Sequence, residues 1–213
     1  MHKLAVKDGS KQTAHGVRLL LGEQLTMMTH RDALEVLALH RRPEQMVVAT
    51  MGSVAIWPKL SDSPLDFHYL PSSMGQGVPL GLGLCLAKPG RSAVVLVGDG
   101  GLLMNLGCLV TVAQFKVPLH ILLIDNSLYE VTGGQPVPNA GKTEFAAIAR
   151  GAGIDRVYSC RERAEWETIA AEALSGSGPT FVELKVAGER GKSTPSAPRP
   201  MAKQIERFQN ALA

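Results

Sequence analysis

Two short runs of branched apolar residues, 93–97 and 119–124, carry no polar alternation and stand one helix-length apart. A strand that is apolar on every side must be buried on both faces, which happens in a parallel sheet covered by helices. The intervening segment supplies such a cover. Leu102, Leu103, Leu106, Leu109, Val110 and Ala113 recur at helical spacing, which predicts a crossover helix over 102–115, with Pro118 marking the return to the sheet. Residues 46–50 and 180–186 are strand candidates of similar composition. The fold class is therefore α/β, a doubly wound parallel sheet with helices on both faces.

Further helices are expected over 143–150, capped by Thr143, and over 164–174, ended by Gly176 and Gly178. Residues 188–200 are polar, basic and proline-bearing, an arm that precedes an amphipathic helix over 201–212 built on Ile205, Phe208 and Leu212. The organisation expected is an amino-terminal extension (1–25), one α/β domain (26–187), and the arm with its helix (188–213). Twenty-two basic against nineteen acidic side chains leave +3, too little and too dispersed for a nucleic-acid or anionic-membrane surface. The longest apolar stretch, 78–87, is interrupted by Pro79, Gly81 and Gly83 and falls far short of the roughly 20 residues a bilayer crossing needs. Cys85, Cys108 and Cys160 are too widely spaced for a disulfide framework or a zinc or iron–sulfur site, which suits a reducing cytoplasm.

The sharpest chemical signal is Gly98-Asp99-Gly100-Gly101, where a buried strand ends and a helix begins. Glycines let backbone amides approach a phosphate at the helix start, and a carboxylate at the strand end can hold a hard cation. Asp125-Asn126-Ser127-Leu128 follows the next strand, with Asn126 27 residues after Asp99. Two adjacent strand ends would then face one crevice, where open parallel sheets bind ligands. Two other motifs carry no function. Gly81-Leu82-Gly83 starts like a dinucleotide fingerprint but has Leu86 for its third glycine, and reads as a helix packed closely through its glycines. Gly191-Lys192-Ser193 resembles the end of a P-loop, but Val186 replaces the required glycine.

The aspartate and asparagine pairing resembles the diphosphate-binding domain of thiamine-diphosphate-dependent enzymes. The resemblance implies magnesium ligation by Asp99, Asn126 and the Leu128 carbonyl. It also implies contacts from Gly98, Gly100 and Gly101 to the diphosphate of thiamine diphosphate. Met74, 25 residues before Asp99, would wedge the cofactor rings into a bent form, with the Ser72 carbonyl reading the aminopyrimidine. Gly52 and Ser53 would touch the diphosphate. Asp125 departs from the family's usual asparagine at a position that does not ligate.

One branch is especially similar, the beta subunit of sulfopyruvate decarboxylase and the matching half of phosphonopyruvate decarboxylase. That likeness implies a decarboxylase of a short 2-oxo acid. Glu130 and Thr132, just past the metal turn, are the candidate catalytic residues. A carboxylate at 130 would repel a second anionic group on the substrate unless protonated or paired. The chain is too short to hold the pyrimidine-binding domain that the family also needs, so a separate subunit would supply the activating glutamate. A carboligase of the acetolactate-synthase type and a regulatory subunit without turnover are the alternatives. Of the histidines only His68 stands near the site in sequence, while Trp57 and Tyr69 read as packing residues. Arg190, Lys192 and Arg199 give the arm a charge suited to closing over an anionic substrate.

Overall fold

The computed structural model describes residues 27–213, so the expected extension over 1–25 lies outside the described residues. Its strands are β1 (Met46–Thr50), β2 (Asp66–Tyr69), β3 (Ala93–Gly98), β4 (Leu119–Asp125), the short pair β5 (Leu128–Tyr129) and β6 (Gln135–Pro136), β7 (Arg156–Cys160) and β8 (Thr180–Lys185). Six of them form one parallel sheet in the order β2-β1-β3-β4-β8-β7, while β5 and β6 pair as a separate antiparallel hairpin. In the central register Gly98 lies beside Ile124, and Asp125 beside Lys185.

The helices are α1 (His30–His40), α2 (Gly77–Ala87), α3 (Asp99–Leu103), α4 (Cys108–Phe115), α5 (Phe145–Gly151), α6 (Arg163–Ala173) and α7 (Met201–Leu212). Alternate strand residues feed two cores, as the two-residue period of a strand requires. Val47, Ala49, Val94, Leu96, Leu122 and Val182 pack against α1 and α6, where Trp166 is fully buried and donates its indole N–H to the Ala33 carbonyl at 3.0 Å. Val48, Val95, Val97, Ile121, Leu123 and Phe181 face α2, α4, α5 and α7. A Cβ on Gly81 would collide with Val95 and come within 2.9 Å of Leu119, so α2 approaches the sheet through a glycine as expected.

The expected strands at β1, β3, β4 and β8 are present to within a residue at either end. The single crossover helix over 102–115 is instead two. Helix α3 springs directly from the end of β3, and the chain then turns through 104–107, where Asn105 donates its side-chain amide to the Gly75 carbonyl at 3.2 Å. Thr143 caps nothing. The helix starts two residues later with Glu144 at its N-cap, and the Thr143 hydroxyl bonds back to the Asn139 carbonyl. Helix α6 lies one residue earlier than expected and is capped by a Glu162–Glu165 box. Among the described residues no helix is long and apolar enough to cross a membrane.

Candidate cofactor and metal site

The connection from β1 leads outward to β2 and that from β3 leads the other way to β4, so the strand order reverses between β1 and β3. Loops leaving the carboxyl ends at such a switch point diverge and open a crevice. The crevice here is a cleft of about 490 Å³, its open mouth included, lined from β1 by Thr50–Ser53, from β3 by Gly98–Gly101 and from β4 by Asn126 and Leu128–Thr132. Met74 and His30 complete the wall. The cleft thus gathers Gly52, Ser53, Met74, Gly98, Asp99, Gly100, Gly101, Asn126, Leu128, Glu130 and Thr132. Ser72 stands just outside, its hydroxyl turned to the Met51 sulfur at 3.7 Å.

Gly98, in extended backbone, is the N-cap of α3, and Asp99 is its first residue, 1% exposed. One carboxylate oxygen accepts the Gly100 N–H at 2.8 Å, while Oδ2 is buried with no partner. Burial pushes the Asp99 carboxyl up to about 7, opposed by the Gly100 N–H and assisted by the neighbouring Asp125 charge. An orphaned buried carboxylate oxygen is costly unless a cation or donor completes it. Gly100 has to be glycine, since a Cβ there would sit 2.5 Å from the Tyr129 ring.

Across the cleft the β4 end turns sharply through Ser127, whose φ of 59° is left-handed. Asn126 Oδ1 accepts the Leu128 N–H at 3.0 Å, and the Ser127 carbonyl accepts the Val137 N–H at 3.1 Å, so the loop is braced from within and by the hairpin. Behind it Gly188 presses so closely that a Cβ would stand 2.7 Å from the Asn126 carbonyl. Among the described residues no three His, Cys, Asp or Glu side chains converge as a metal cluster. A carboxylate, an amide oxygen and a peptide carbonyl are instead a hard, oxygen-only donor set, which fits magnesium and leaves positions for phosphate oxygens and water.

The other wall carries a residue that sequence reasoning passed over. His30, in the first turn of α1, is 7% exposed, and its Nε2 lies 3.0 Å from the Ser53 hydroxyl while Nδ1 has no partner. Desolvation, with the Lys192 charge second, depresses its pKa to about 4, so it stands neutral. The Thr29–Asp32 capping box announces the start of α1 and was the available signal. Glu130, also buried, has both oxygens engaged: Oε1 accepts the Glu189 N–H at 2.8 Å and Oε2 pairs with Lys192 at 3.3 Å. Thr132 is exposed at the rim. His68 lies elsewhere, on β2 beneath α7, where its backbone N–H donates to Gln204. Trp57 is fully buried in the core, and Tyr69 stacks on Phe67.

Comparison with known proteins agrees with this geometry. The family model for the thiamine pyrophosphate enzyme C-terminal TPP binding domain matches residues 41–184. Phosphonopyruvate decarboxylase of Streptomyces hygroscopicus is 34% identical over 160 residues, 74% of this chain and 39% of that protein. The beta subunit of sulfopyruvate decarboxylase from Methanothermobacter thermautotrophicus is 40% identical over 146 residues, 67% of this chain and 74% of that subunit. The chain therefore spans about two fifths of the phosphonopyruvate decarboxylases it matches. The crystal structure of benzoylformate decarboxylase from Polynucleobacter necessarius superposes with a TM-score of 0.67 at 17% identity, over 88% of this chain and 36% of that one, a likeness of fold.

Proposed function

The chain belongs to the thiamine pyrophosphate enzymes through their C-terminal TPP binding domain, and from that premise we propose that it is the cofactor-anchoring subunit of a magnesium-dependent decarboxylase of short 2-oxo acids. The carrying observation is the buried, partnerless Asp99 oxygen in a cleft that Asn126 and Leu128 line from the next strand. Asp99, Asn126 and the Leu128 carbonyl would hold the cation, and through it the diphosphate. The Gly100 and Gly101 amides, at the start of α3, would meet phosphate oxygens, the Gly100 N–H leaving its bond to Asp99 to do so. Met74 would support the rings from the far side, and neutral His30 fixes the Ser53 hydroxyl where it can donate to the diphosphate. Bound thiamine diphosphate supplies the electron sink for carbanion chemistry.

The substrate reading, sulfopyruvate or phosphonopyruvate and their like, is supported by the names of the two curated relatives described above. Pairing of Glu130 with Lys192 offsets the carboxylate that would otherwise repel a second anionic group. A partner subunit is supported by the match to a protein named as a beta subunit. That partner would bring the pyrimidine-binding surface and its glutamate. The test is co-expression with a candidate pyrimidine-domain subunit, followed by a 2-oxo acid screen with and without magnesium and thiamine diphosphate. Carbon dioxide and aldehyde released only with both are the expected outcome. A verified complex that retains the cofactor without turnover would refute the reading, and a ligated hydroxyketone would redirect it to carboligation.

A further inference from the structure

Between β8 and α7 the chain has no helix or strand, yet its two ends are far apart. Strand β8 lies beyond β4, whereas α7 packs on β2, with Phe208 against Phe67 at a centroid distance of 5.6 Å. Travelling from one to the other means passing four strand spacings, roughly 19 Å. The route runs over the carboxyl edge of the sheet, where residues 188–194 meet groups that stand there. Gly188 packs on the Asn126 carbonyl, Glu189 and Lys192 bond Glu130, Arg190 lies against Gly134, and the Thr194 hydroxyl donates to the Val131 carbonyl at 3.1 Å. The segment is a strap across one rim of the cleft.

Both ends of the strap are tied down. At its start the Val186 and Ala187 N–H groups donate to Asp125 and Met28 carbonyls, and at its finish Arg199 pairs with Asp62 at 2.9 Å and offers its carbonyl to Gln204. In the middle the charged fastening is Glu130, a carboxylate 6% exposed whose bonds all go to the strap. Lys192 in turn is shared with Glu189 at 3.3 Å. Taking the counter-ion from a buried carboxylate leaves its contact strongly unfavourable, so the pair holds or loosens together. Glu130, Val131 and Thr132 line the same cleft as Asp99, so loosening this fastening opens the cleft wall itself.

We propose that Glu130 and Lys192 form a latch that holds the 188–194 strap against the cleft and thereby slows escape of the bound diphosphate cofactor. The inference rests on the reading of the cleft as a thiamine diphosphate site. Both residues act as positioning residues, not as groups that touch the reacting atoms. Removing one partner of this pair, whose carboxylate is buried and whose ammonium is part-exposed, should free the strap and so show in the rate of cofactor escape. Because the two residues work as one unit, the single and double losses should coincide.

The experiment uses the full chain in complex with its partner subunit, loaded with thiamine diphosphate and magnesium, freed of excess ligand, and sampled for retained cofactor over time. Lys192→Met keeps the aliphatic stem and removes the charge; Glu130→Gln keeps the shape. Each is expected to speed cofactor release about tenfold, the double variant no further, and Lys192→Arg is expected to restore slow release. Trypsin should cut after Arg190 faster in both charge-removed variants. Unchanged release rates would overturn the latch, as would effects that add, or faster release matched by an equal fall in thermal midpoint of the cofactor-free complex. Failure of the wild-type complex to hold the cofactor at all would instead overturn the cofactor reading, and the latch with it.

Discussion

At the amino ends of the strands Gln45 and Arg156 tie the structure to itself, although His120 and Ser92 there lack side-chain partners, whereas at the carboxyl ends Asp99 and His30 face a cleft. Gln45, fully buried, donates to the Leu174 carbonyl at 3.0 Å and accepts from the Arg42 N–H. Arg156 reaches the Ser175 and Glu172 carbonyls and the Thr180 hydroxyl, tying off the end of α6. At the opposite edge Asp99 Oδ2 and His30 Nδ1 have no partner, and Met51 and Ser127 adopt left-handed backbone on either side of the cleft. Such backbone costs of order 1 kcal/mol or more and persists where the surroundings over-determine it. The contrast teaches that Gln45 and Arg156 serve cohesion, whereas the partnerless Asp99 oxygen stands open in the proposed cation site. Each edge also buries one histidine depressed to about 4, His120 at the start of β4 and His30 beside the cleft.

Asp99→Ala should break the contrast most sharply. With Asp99 holding the cation as proposed, its loss is expected to weaken magnesium-dependent cofactor binding more than about 100-fold, since even outer partners of metal ligands are worth 10–100-fold. Titration calorimetry of the complex reads that loss, while the melting temperature without metal should hold or rise because an uncompensated buried carboxylate is gone. Arg156→Ala should do the reverse, costing about 2 kcal/mol in denaturant unfolding through carbonyls left without their charged donor, with cofactor affinity unchanged.

A smaller effect is expected from Gly188→Ala, whose methyl must displace the Asn126 carbonyl. Magnesium affinity at the proposed site should fall about tenfold, measured by the same calorimetry, with stability lowered by about 1–3 kcal/mol. The histidines sharpen the comparison further. A histidine kept neutral in the fold binds fewer protons than in the open chain between its folded pKa near 4 and its ordinary 6.5. Stability is therefore fully present above 6.5 and declines as the pH falls through that window. At pH 6 each should cost about 0.7 kcal/mol relative to pH 7. His30→Gln and His120→Gln should both flatten this acid limb in pH-resolved unfolding, and only the former should alter cofactor binding.

The central strands were legible because β1, β3, β4 and β8 are buried on both faces as mostly apolar runs, with single buried polar residues such as His120 in β4 and Glu183 in β8. Strands β2 and β7 stand at the two sheet edges, where Asp66, His68, Arg156 and Ser159 break any such run, and their five residues or fewer carry too little periodicity to announce themselves. The split between α3 and α4 was hidden because the leucine spacing of 102–109 survives the turn, while the Asn105 bond that stabilises it reaches a residue thirty positions away. The same limit governs the site. Asp99 and Asn126 sit at ends of readable strands, so their convergence could be argued from spacing alone. His30 meets Ser53 only because α1 starts at the carboxyl edge, a tertiary fact no local pattern carries. Glu130 was legible as a cleft residue but not as the partner of Lys192, whose position depends on the path of a segment without helix or strand.

The register of β3 against β4 has a consequence for evolution and engineering of this site. Gly98 and Ile124 are level across the sheet, so the residues that follow each are delivered to one height. Slippage by a single position would turn alternate side chains to the opposite face and carry aspartate and asparagine out of step. The pitch of a dry, hydrocarbon lattice thus acts as the ruler for the proposed ionic contact, and the substitutions most apt to detune it at a distance are those of valine and leucine deep in the sheet.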